Sequence, residues 1–181
     1  TFLERYCTKN RGNLMPHTQL KFENFIHLMK NNWPDAYQGL FLLFPRVERV
    51  ASDMNNHIEN IMKAQGLLVS DFHLLAAIRR SNSEPPFELK PSARCNYMLF
   101  SWGGLTKVMK RLEAKGMIIR IGCEDDKRIC MIRLTEKGQR IIDTSVFKLQ
   151  AIQQQWLHGF TNEEIGLLDK LLAKLINNIE S

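Results

Sequence analysis

Two apolar runs on either side of a short charged segment constrain the fold of this chain more than any other feature of its sequence. The runs are MIIRIG (117–122) and ICMIRL (129–134), and the residues between them include three acidic side chains and a Lys-Arg pair. Runs rich in β-branched and apolar residues, separated by a turn of this kind, predict a β-hairpin. The charged segment then forms the tip of that hairpin.

Three short helical patterns come before the hairpin. Ser70 is a suitable N-cap for the first, which places Leu74, Leu75 and Ile78 on its inward side. A loop is expected at residues 81–86, because Ser, Asn and Pro dominate there.

The second and third patterns follow that loop. Pro91 suits the first turn of a helix that runs to roughly Leu99, and Ser101 can cap a helix that ends at Gly116. The inward face of this third helix would consist of Leu105, Val108, Met109 and Leu112, and its outward face of Gly103, Thr106, Lys107 and Lys110.

Further helices are predicted toward the N-terminus. Residues 17–30 predict a short helix and residues 31–36 a break. From Leu40 onward, apolar residues recur every three or four positions, which predicts a long helix that stops near Gly66. Pro45 either kinks this helix or lies in its first turn.

Two helices are predicted after the hairpin. Thr135 would cap a long amphipathic helix that runs to about His158, and Thr161 with Glu164 forms a capping box for the last helix. A regular apolar stripe on the last helix comprises Ile165, Leu168, Leu172, Leu175 and Ile179. The stripe either faces the chain's own core or forms a seam between two subunits, and periodicity does not decide between them.

Three helices followed by a two-stranded hairpin are the element order of a winged helix-turn-helix. We therefore predict a mainly α fold with a small β-wing, in which a winged helix-turn-helix region is joined to a helical dimerisation region. Residues 1–66 would form an N-terminal arm and the first dimerisation helix. Residues 67–134 would form the DNA-binding region, and residues 135–181 the C-terminal dimerisation helices.

The distribution of charge points to a polyanionic partner. Of the net charge of +6, residues 101–133 contribute +4, and a local basic excess is typical of nucleic-acid binding. Gly103 and Gly104 would let the backbone of the third helix approach the major groove. Arg128 would reach the adjacent minor groove, with its guanidinium held by Asp126. The alternative is an exposed ion pair without a role.

Four segments resemble the MarR family of winged-helix transcription regulators. They are FHLLAAIRRS (72–81), LKPS (89–92), SWGGLTKVMKRLEAKGMIIR (101–120) and DDKRICMIRLTEKG (125–138). The most specific part is the Asp-x-Arg of the wing, at Asp126 and Arg128, followed by L-T-x-x-G at Leu134, Thr135 and Gly138. The resemblance implies a homodimer that binds pseudo-palindromic operator DNA. It also implies release of the DNA when a small aromatic or phenolic compound binds between the dimer and winged-helix regions.

We therefore predict a sequence-specific DNA-binding transcriptional regulator, a repressor that a small aromatic ligand releases. The candidate DNA-binding residues are Ser101, Gly103, Thr106, Lys107, Lys110, Arg111, Asp126, Lys127 and Arg128.

The extra N-terminal helix and the style of the motifs are similar to the urate-responsive branch of that family. Candidate ligand residues are Trp33, His73, Arg94 and Arg120. His73 stands where that branch has an aspartate, and Val108 where it has an arginine. His73 thus replaces an expected carboxylate and Val108 removes an expected guanidinium, so we expect a salicylate-like phenol to be a better effector than urate.

Two other classes of function stay open. Cys123 and Cys130 flank the wing, which motivates a thiol-based redox regulator, with Cys7 and Cys95 as further thiols. An enzyme with a borrowed winged helix is the third hypothesis, but no phosphate loop, metal cluster or adjacent Cys-His pair is recognisable. We predict no enzymatic activity, no cofactor and no metal. The cytoplasm is the expected location, because no apolar run could span a membrane.

Overall fold

The computed structural model describes residues 20–38, 42–90, 104–123 and 126–181, with only the strand backbone at residues 123 and 126–130. The chain divides between Ser52 and Asp53 into two compact units. In the described residues of the first unit, the helices are α1 (Phe22–Asn32), α2 (Pro34–Gln38) and the first part of α3 (Leu43–Lys63).

The N-terminal predictions needed two adjustments. The break expected at residues 31–36 is limited to Trp33, because Pro34 has the fixed φ that suits the first residue of a helix and α2 begins there. Pro45 is the third residue of α3, so it lies in the first turn and does not kink the helix. Residues 17–19 of the predicted first helix lie outside the described residues.

The second unit combines helices with a small sheet. Its elements after α3 are α4 (Val69–Arg79), β1 (Glu88–Leu89), α5 (Leu105–Ala114), β2 (Ile118–Cys123), β3 (Asp126–Leu134), α6 (Glu136–Trp156) and α7 (Asn162–Glu180). The strands form an antiparallel sheet in the order β1-β3-β2, in which Ile132 is opposite both Leu89 and Arg120. The prediction of a mainly α fold with a small β-wing is confirmed.

One core holds the second unit together. Its fully buried side chains come from α3, α4, α5, α6 and the sheet, and they include Met62, Leu74, Leu75, Ile78, Leu112, Ile118, Ile132 and Ile142. Each such side chain contributes about 1.5–3 kcal/mol when it leaves water. The inward faces predicted for the helices at 70–80 and 101–116 are therefore confirmed for the described residues.

The start of α4 differs from the prediction. The helix begins at Val69, and Ser70 is its second residue and not its cap. Asp71 caps it, because the Leu68 N–H donates to Asp71 Oδ2 at 2.8 Å. Strand β1 was not predicted. The helix expected from Pro91 to Leu99 lies outside the described residues.

The caps predicted after the hairpin are confirmed. The Gly138 N–H donates to Thr135 Oγ1 at 3.1 Å at the start of α6. At the start of α7, the Glu164 N–H donates to Thr161 Oγ1 at 3.2 Å, and the Thr161 N–H donates to Glu164 Oε2 at 2.8 Å. In the part of the chain that the structure describes, no helix is long and apolar enough to cross a membrane.

Candidate nucleic-acid interface

The outward face of α5 is cationic. Thr106, Lys107 and Lys110 are exposed, whereas Val108 and Met109 are buried in the core. The separation follows from the 3.6-residue period of the helix. A helix fits the major groove of B-DNA, so an exposed cationic face can meet base edges and phosphates there. Contact of these three residues with DNA stays a prediction, and Ser101 and Gly103 lie outside the described residues.

Gly104 precedes α5 in a left-handed backbone conformation, with φ at +97°. A Cβ at this position would meet nothing within 4 Å, so packing does not require glycine here. The backbone angle does, because an L side chain in a left-handed conformation costs roughly 1–2 kcal/mol. The chain can thus enter α5 through a sharp turn.

Arg111 makes its contacts with α4. Its Nη2 lies 2.6 Å from Asp71 Oδ1 and 3.2 Å from Ser70 Oγ, and its Nε lies 2.9 Å from Asp71 Oδ2. This two-pronged pairing raises the pKa of Arg111, chiefly through the hydrogen bond to Asp71. The predicted role of Arg111 in DNA contact stays a prediction, but the guanidinium is already engaged by a buried carboxylate.

The second strand of the wing begins earlier in the sequence than predicted. Asp126, Lys127 and Arg128 lie in the backbone of β3, and not on the turn as the sequence indicated. Pairing passes from Gly122↔Ile129 to Cys123↔Asp126, so Lys127 and Arg128 fall in an irregular part of the ladder. The side chains of these wing residues, including the predicted Asp126–Arg128 pair, lie outside what the structure describes.

A set of hydrogen bonds joins the three residues that follow α5 to the start of α6. Thr135 Oγ1 donates to the Gly116 carbonyl at 2.8 Å, the Thr135 N–H donates to the Met117 carbonyl at 3.1 Å, and Lys137 Nζ donates to the Lys115 carbonyl at 2.8 Å. We refer to these three bonds as the α5–α6 clasp. Sequence reasoning identified Thr135 only as a cap. Its position in the L-T-x-x-G motif was the available signal.

The predicted ligand residues have separate surroundings. Trp33 belongs to the first unit and is 63% exposed. His73 on α4 is half-buried, with its ring centroid 5.6 Å from that of Phe72, and burial, followed by the charge of Arg80, lowers its pKa. Arg120 Nε lies 3.0 Å from Glu113 Oε2. Arg94 lies outside the described residues, and a shared ligand site stays a prediction.

A cleft of about 320 Å³ lies between α4 and α6, and sequence reasoning missed it. Its lining residues are Ala76, Arg79, Arg80, Ile142, Asp143, Val146, Phe147 and Gln150. Within it, Arg79 Nε lies 2.9 Å from Asp143 Oδ1, and the Arg79 guanidinium lies 4.1 Å from the ring centroid of Phe87. The cleft therefore combines apolar walls with two arginines, of which Arg79 is paired with the Asp143 carboxylate. In the described residues, no group of three or more His, Cys, Asp or Glu side chains could hold a metal ion.

The apolar stripe on α7 is not buried by this chain. None of the α7 residues is buried. Leu168 is 43% exposed and Ile179 is 73% exposed, while Ile165, Leu172 and Leu175 are partly covered. Leu167, Leu171 and Ile176 widen the exposed surface. An apolar surface of this extent is typical of a protein–protein interface.

Comparison with known proteins agrees with this geometry. A family described as "Transcriptional regulator SarA/Rot" matches residues 56–145. The HTH-type transcriptional regulator PecS of Dickeya dadantii is 26% identical over 163 residues, which cover 88% of this chain and 97% of PecS.

Solved structures of similar fold carry the same kind of description. A MarR family protein from Bacillus stearothermophilus has a TM-score of 0.63 at 24% identity, with 77% of this chain and 94% of that chain covered. A variant of MarR from E. coli, solved in complex with operator DNA, has a TM-score of 0.60 at 22% identity, with coverages of 82% and 97%. At these identities, the similarity establishes the fold.

Proposed function

We propose that the chain is a winged helix-turn-helix transcription regulator of the MarR type and that it binds a pseudo-palindromic DNA operator as a homodimer. Proteins of this kind are regulators and not enzymes. The observation that carries the proposal is the exposed cationic face of α5, opposite a face that is packed into the core.

The charges on α5 suit a DNA partner. Lys107 and Lys110 lie three residues apart, so both point to the same side of the helix. Neutralisation of DNA phosphates by such lysines releases counterions, and the logarithm of affinity falls by about 0.9 per phosphate for each unit of log salt. Lys127 and Arg128 in β3 would add contacts from the wing.

The apolar stripe on α7 supports the homodimer. A stripe with Leu168 and Ile179 exposed would be costly in a monomer, since about 25 cal/mol is gained for each Å² of apolar surface removed from water. Two copies that pack these helices together would also present two α5 helices to successive turns of DNA.

We further propose that the protein is a repressor and that a small aromatic anion releases it from DNA. The cleft between α4 and α6 can accommodate such a compound, with Phe147 as an apolar wall and Arg80 as the counter-charge. His73 precedes Ala76 of the cleft by one helical turn. The predicted residues Trp33, Arg94 and Arg120 remain candidates for the same role. The family implies a cytoplasmic regulator.

The redox alternative has limited support. Cys123 is opposite Asp126 in the strand register, and not opposite Cys130, so the ladder offers no directly paired cysteines for a disulfide. Cys7 and Cys95 lie outside the described residues. Thiol sensing therefore stays a hypothesis.

The test begins with selection of DNA fragments by the purified protein. We expect a palindromic consensus and a steep loss of affinity with salt. Arg128→Ala should weaken specific binding by about 1–3 kcal/mol, while Lys148→Gln, which removes an exposed charge from α6, should have a small effect.

Titration of a preformed complex with salicylate and with urate then tests the effector. Failure to select any duplex sequence would refute the proposal.

A further inference from the structure

We propose that the α5–α6 clasp sets the separation between half-sites that the dimer prefers. The inference rests on the proposed function, which supplies the homodimer and the palindromic operator. It assigns Thr135 and Lys137 a positioning role in DNA recognition. They act through the orientation of α5 and not by contact with DNA.

The clasp holds the segment that follows α5 directly. The last turn of α5 is closed by bonds from the N–H groups of Lys115, Gly116 and Met117 to its own carbonyls. The carbonyls of these same three residues each accept a bond from Thr135 or Lys137. Lys137 also brings a positive charge to the negative end of the α5 dipole. The three residues that follow α5 are thus fixed to the cap and first turn of α6.

Close backbone packing makes this junction stiff. A Cβ at Gly138 would lie 2.1 Å from the Met117 carbonyl oxygen, so the two backbones meet with no room for a side chain. The Gly138 N–H is itself bonded to the Thr135 hydroxyl. Thr135 therefore belongs at once to the cap of α6 and to the clasp, and the two helices cannot rotate against each other without breaking these bonds.

The helix that the clasp holds leads toward the proposed dimer seam. α6 continues without interruption from Glu136 to Trp156, and α7 with the apolar stripe begins at Asn162. The orientation of α5 relative to α6 thus determines where each recognition helix lies in the dimer. One base pair of added spacing moves the half-sites apart by about 3.4 Å and turns them by about 35°. A stiff junction cannot follow that change, whereas a loosened one can.

The contact between Arg111 and Asp71 has a different effect. It joins α5 to α4, within the DNA-binding region. Its loss would disturb the packing of the recognition helix at every half-site, whatever the spacing. The clasp instead joins the segment that follows α5 directly to α6, so its loss should change the response to spacing.

Thr135→Asp separates the clasp from the cap. Aspartate is a favoured N-cap and keeps an acceptor for the Gly138 N–H. An ionised carboxylate has no proton to donate, so the bond to the Gly116 carbonyl is lost. Thr161→Asp is the matched control, because the bond of the Thr161 hydroxyl to the Glu164 N–H is a capping bond of the same kind. Thr135→Ser, which can still donate and accept, should behave as the unmodified protein.

The experiment measures affinity for a series of duplexes derived from the selected operator, with the half-site spacing changed by one or two base pairs, and for a duplex with one half-site. We expect the unmodified protein and Thr161→Asp to lose at least about tenfold in affinity for a one-pair change, which is the scale of one mismatched base pair. Thr135→Asp should lose less than about threefold for the same change. The added charge lowers affinity for all duplexes alike, so it does not alter the spacing profile.

Lys137→Gln provides a second variant, because it removes only the bond to the Lys115 carbonyl from an exposed position. It decides the question if circular dichroism shows that Thr135→Asp is unfolded. We expect the affinity of Lys137→Gln to depend less on half-site spacing than that of Lys148→Gln, which removes the same charge elsewhere on α6. If the affinity of Thr135→Asp and Lys137→Gln depends on half-site spacing as steeply as that of the unmodified protein, the proposed role of the clasp is wrong. An unmodified protein that ignores spacing would instead refute the palindromic dimer.

Discussion

Nη2 of Arg111 on α5 lies 2.6 Å from Oδ1 of Asp71 on α4, and the Asp71 side chain is fully buried. The same carboxylate accepts the Leu68 N–H at 2.8 Å. Asp71 therefore caps α4 and holds α5 with one group, so two helices of the DNA-binding region depend on a single side chain.

Asp71→Ala should destabilise the protein by about 1.5–3 kcal/mol, because it removes the charge-assisted hydrogen bonds of Arg111 and the acceptor of the Leu68 N–H. The matched control is Asp143→Ala, whose pair with Arg79 is about one-third exposed and should be worth about 0–1 kcal/mol. Urea denaturation followed by circular dichroism measures both. Equal losses in the two variants would contradict the special weight given to the buried carboxylate.

Gly138→Ala should cost about 1–3 kcal/mol or more in unfolding free energy, because the new methyl group would overlap the Met117 carbonyl. Gly166→Ala on α7 is the control, since a Cβ there meets nothing within 4 Å. That change should stabilise its helix by roughly 0.5–1 kcal/mol. If both alanine variants melt at the same temperature as the unmodified protein, the backbone contact at Gly138 is not as close as described.

Mild acid should destabilise the protein through His73, whose pKa is lowered by burial and then by Arg80. At pH values from about 6.5 downward, His73 binds a proton more readily in the unfolded chain than in the folded one, because 6.5 is the ordinary pKa of histidine and the folded state lowers it. Stability therefore falls as pH falls through that range. His73→Gln should reduce the slope, whereas His158→Gln, at an exposed position, should keep it. Denaturant titrations between pH 7 and 5 test this, and an unchanged slope in His73→Gln would exclude the histidine as its source.

Leu172→Asp should convert the proposed dimer into monomers, because an unpaired carboxylate in an apolar seam costs several kcal/mol. Ala173→Asp adds the same charge at the next position of α7, on an exposed part of the helix, and should leave the dimer intact. Sedimentation velocity distinguishes the two states. A dimeric Leu172→Asp protein would mean that subunits associate through a different surface.

Local sequence signals were sufficient where a few neighbouring residues determine the structure. The capping box of Thr161 and Glu164 and the buried face of α5 were predicted because both depend on spacing within one helix. The two-residue strand β1 was missed because a strand that short has no alternation to detect. It exists through pairing with β3, which lies more than forty residues later.

Long-range partners account for the errors in the site. Ser70 and Asp71 are adjacent and both are good capping residues, so no local signal favours one over the other. The buried Asp71 is bonded to Arg111, which lies forty residues away in the sequence. The pairing of Arg120 with Glu113 could not be predicted for the same reason. The same holds for the clasp around Thr135. Spacing along one helix cannot report a contact between two elements.

Strand β1 also has a consequence for association with other chains. Paired with β3 at Glu88 and Leu89, and extended by the bond from the Leu134 N–H to the Phe87 carbonyl at 3.0 Å, it covers an edge of the sheet. An uncovered edge is a template on which other chains can add strands and aggregate. A segment of two residues therefore covers part of an edge on which the strands of other chains could otherwise add.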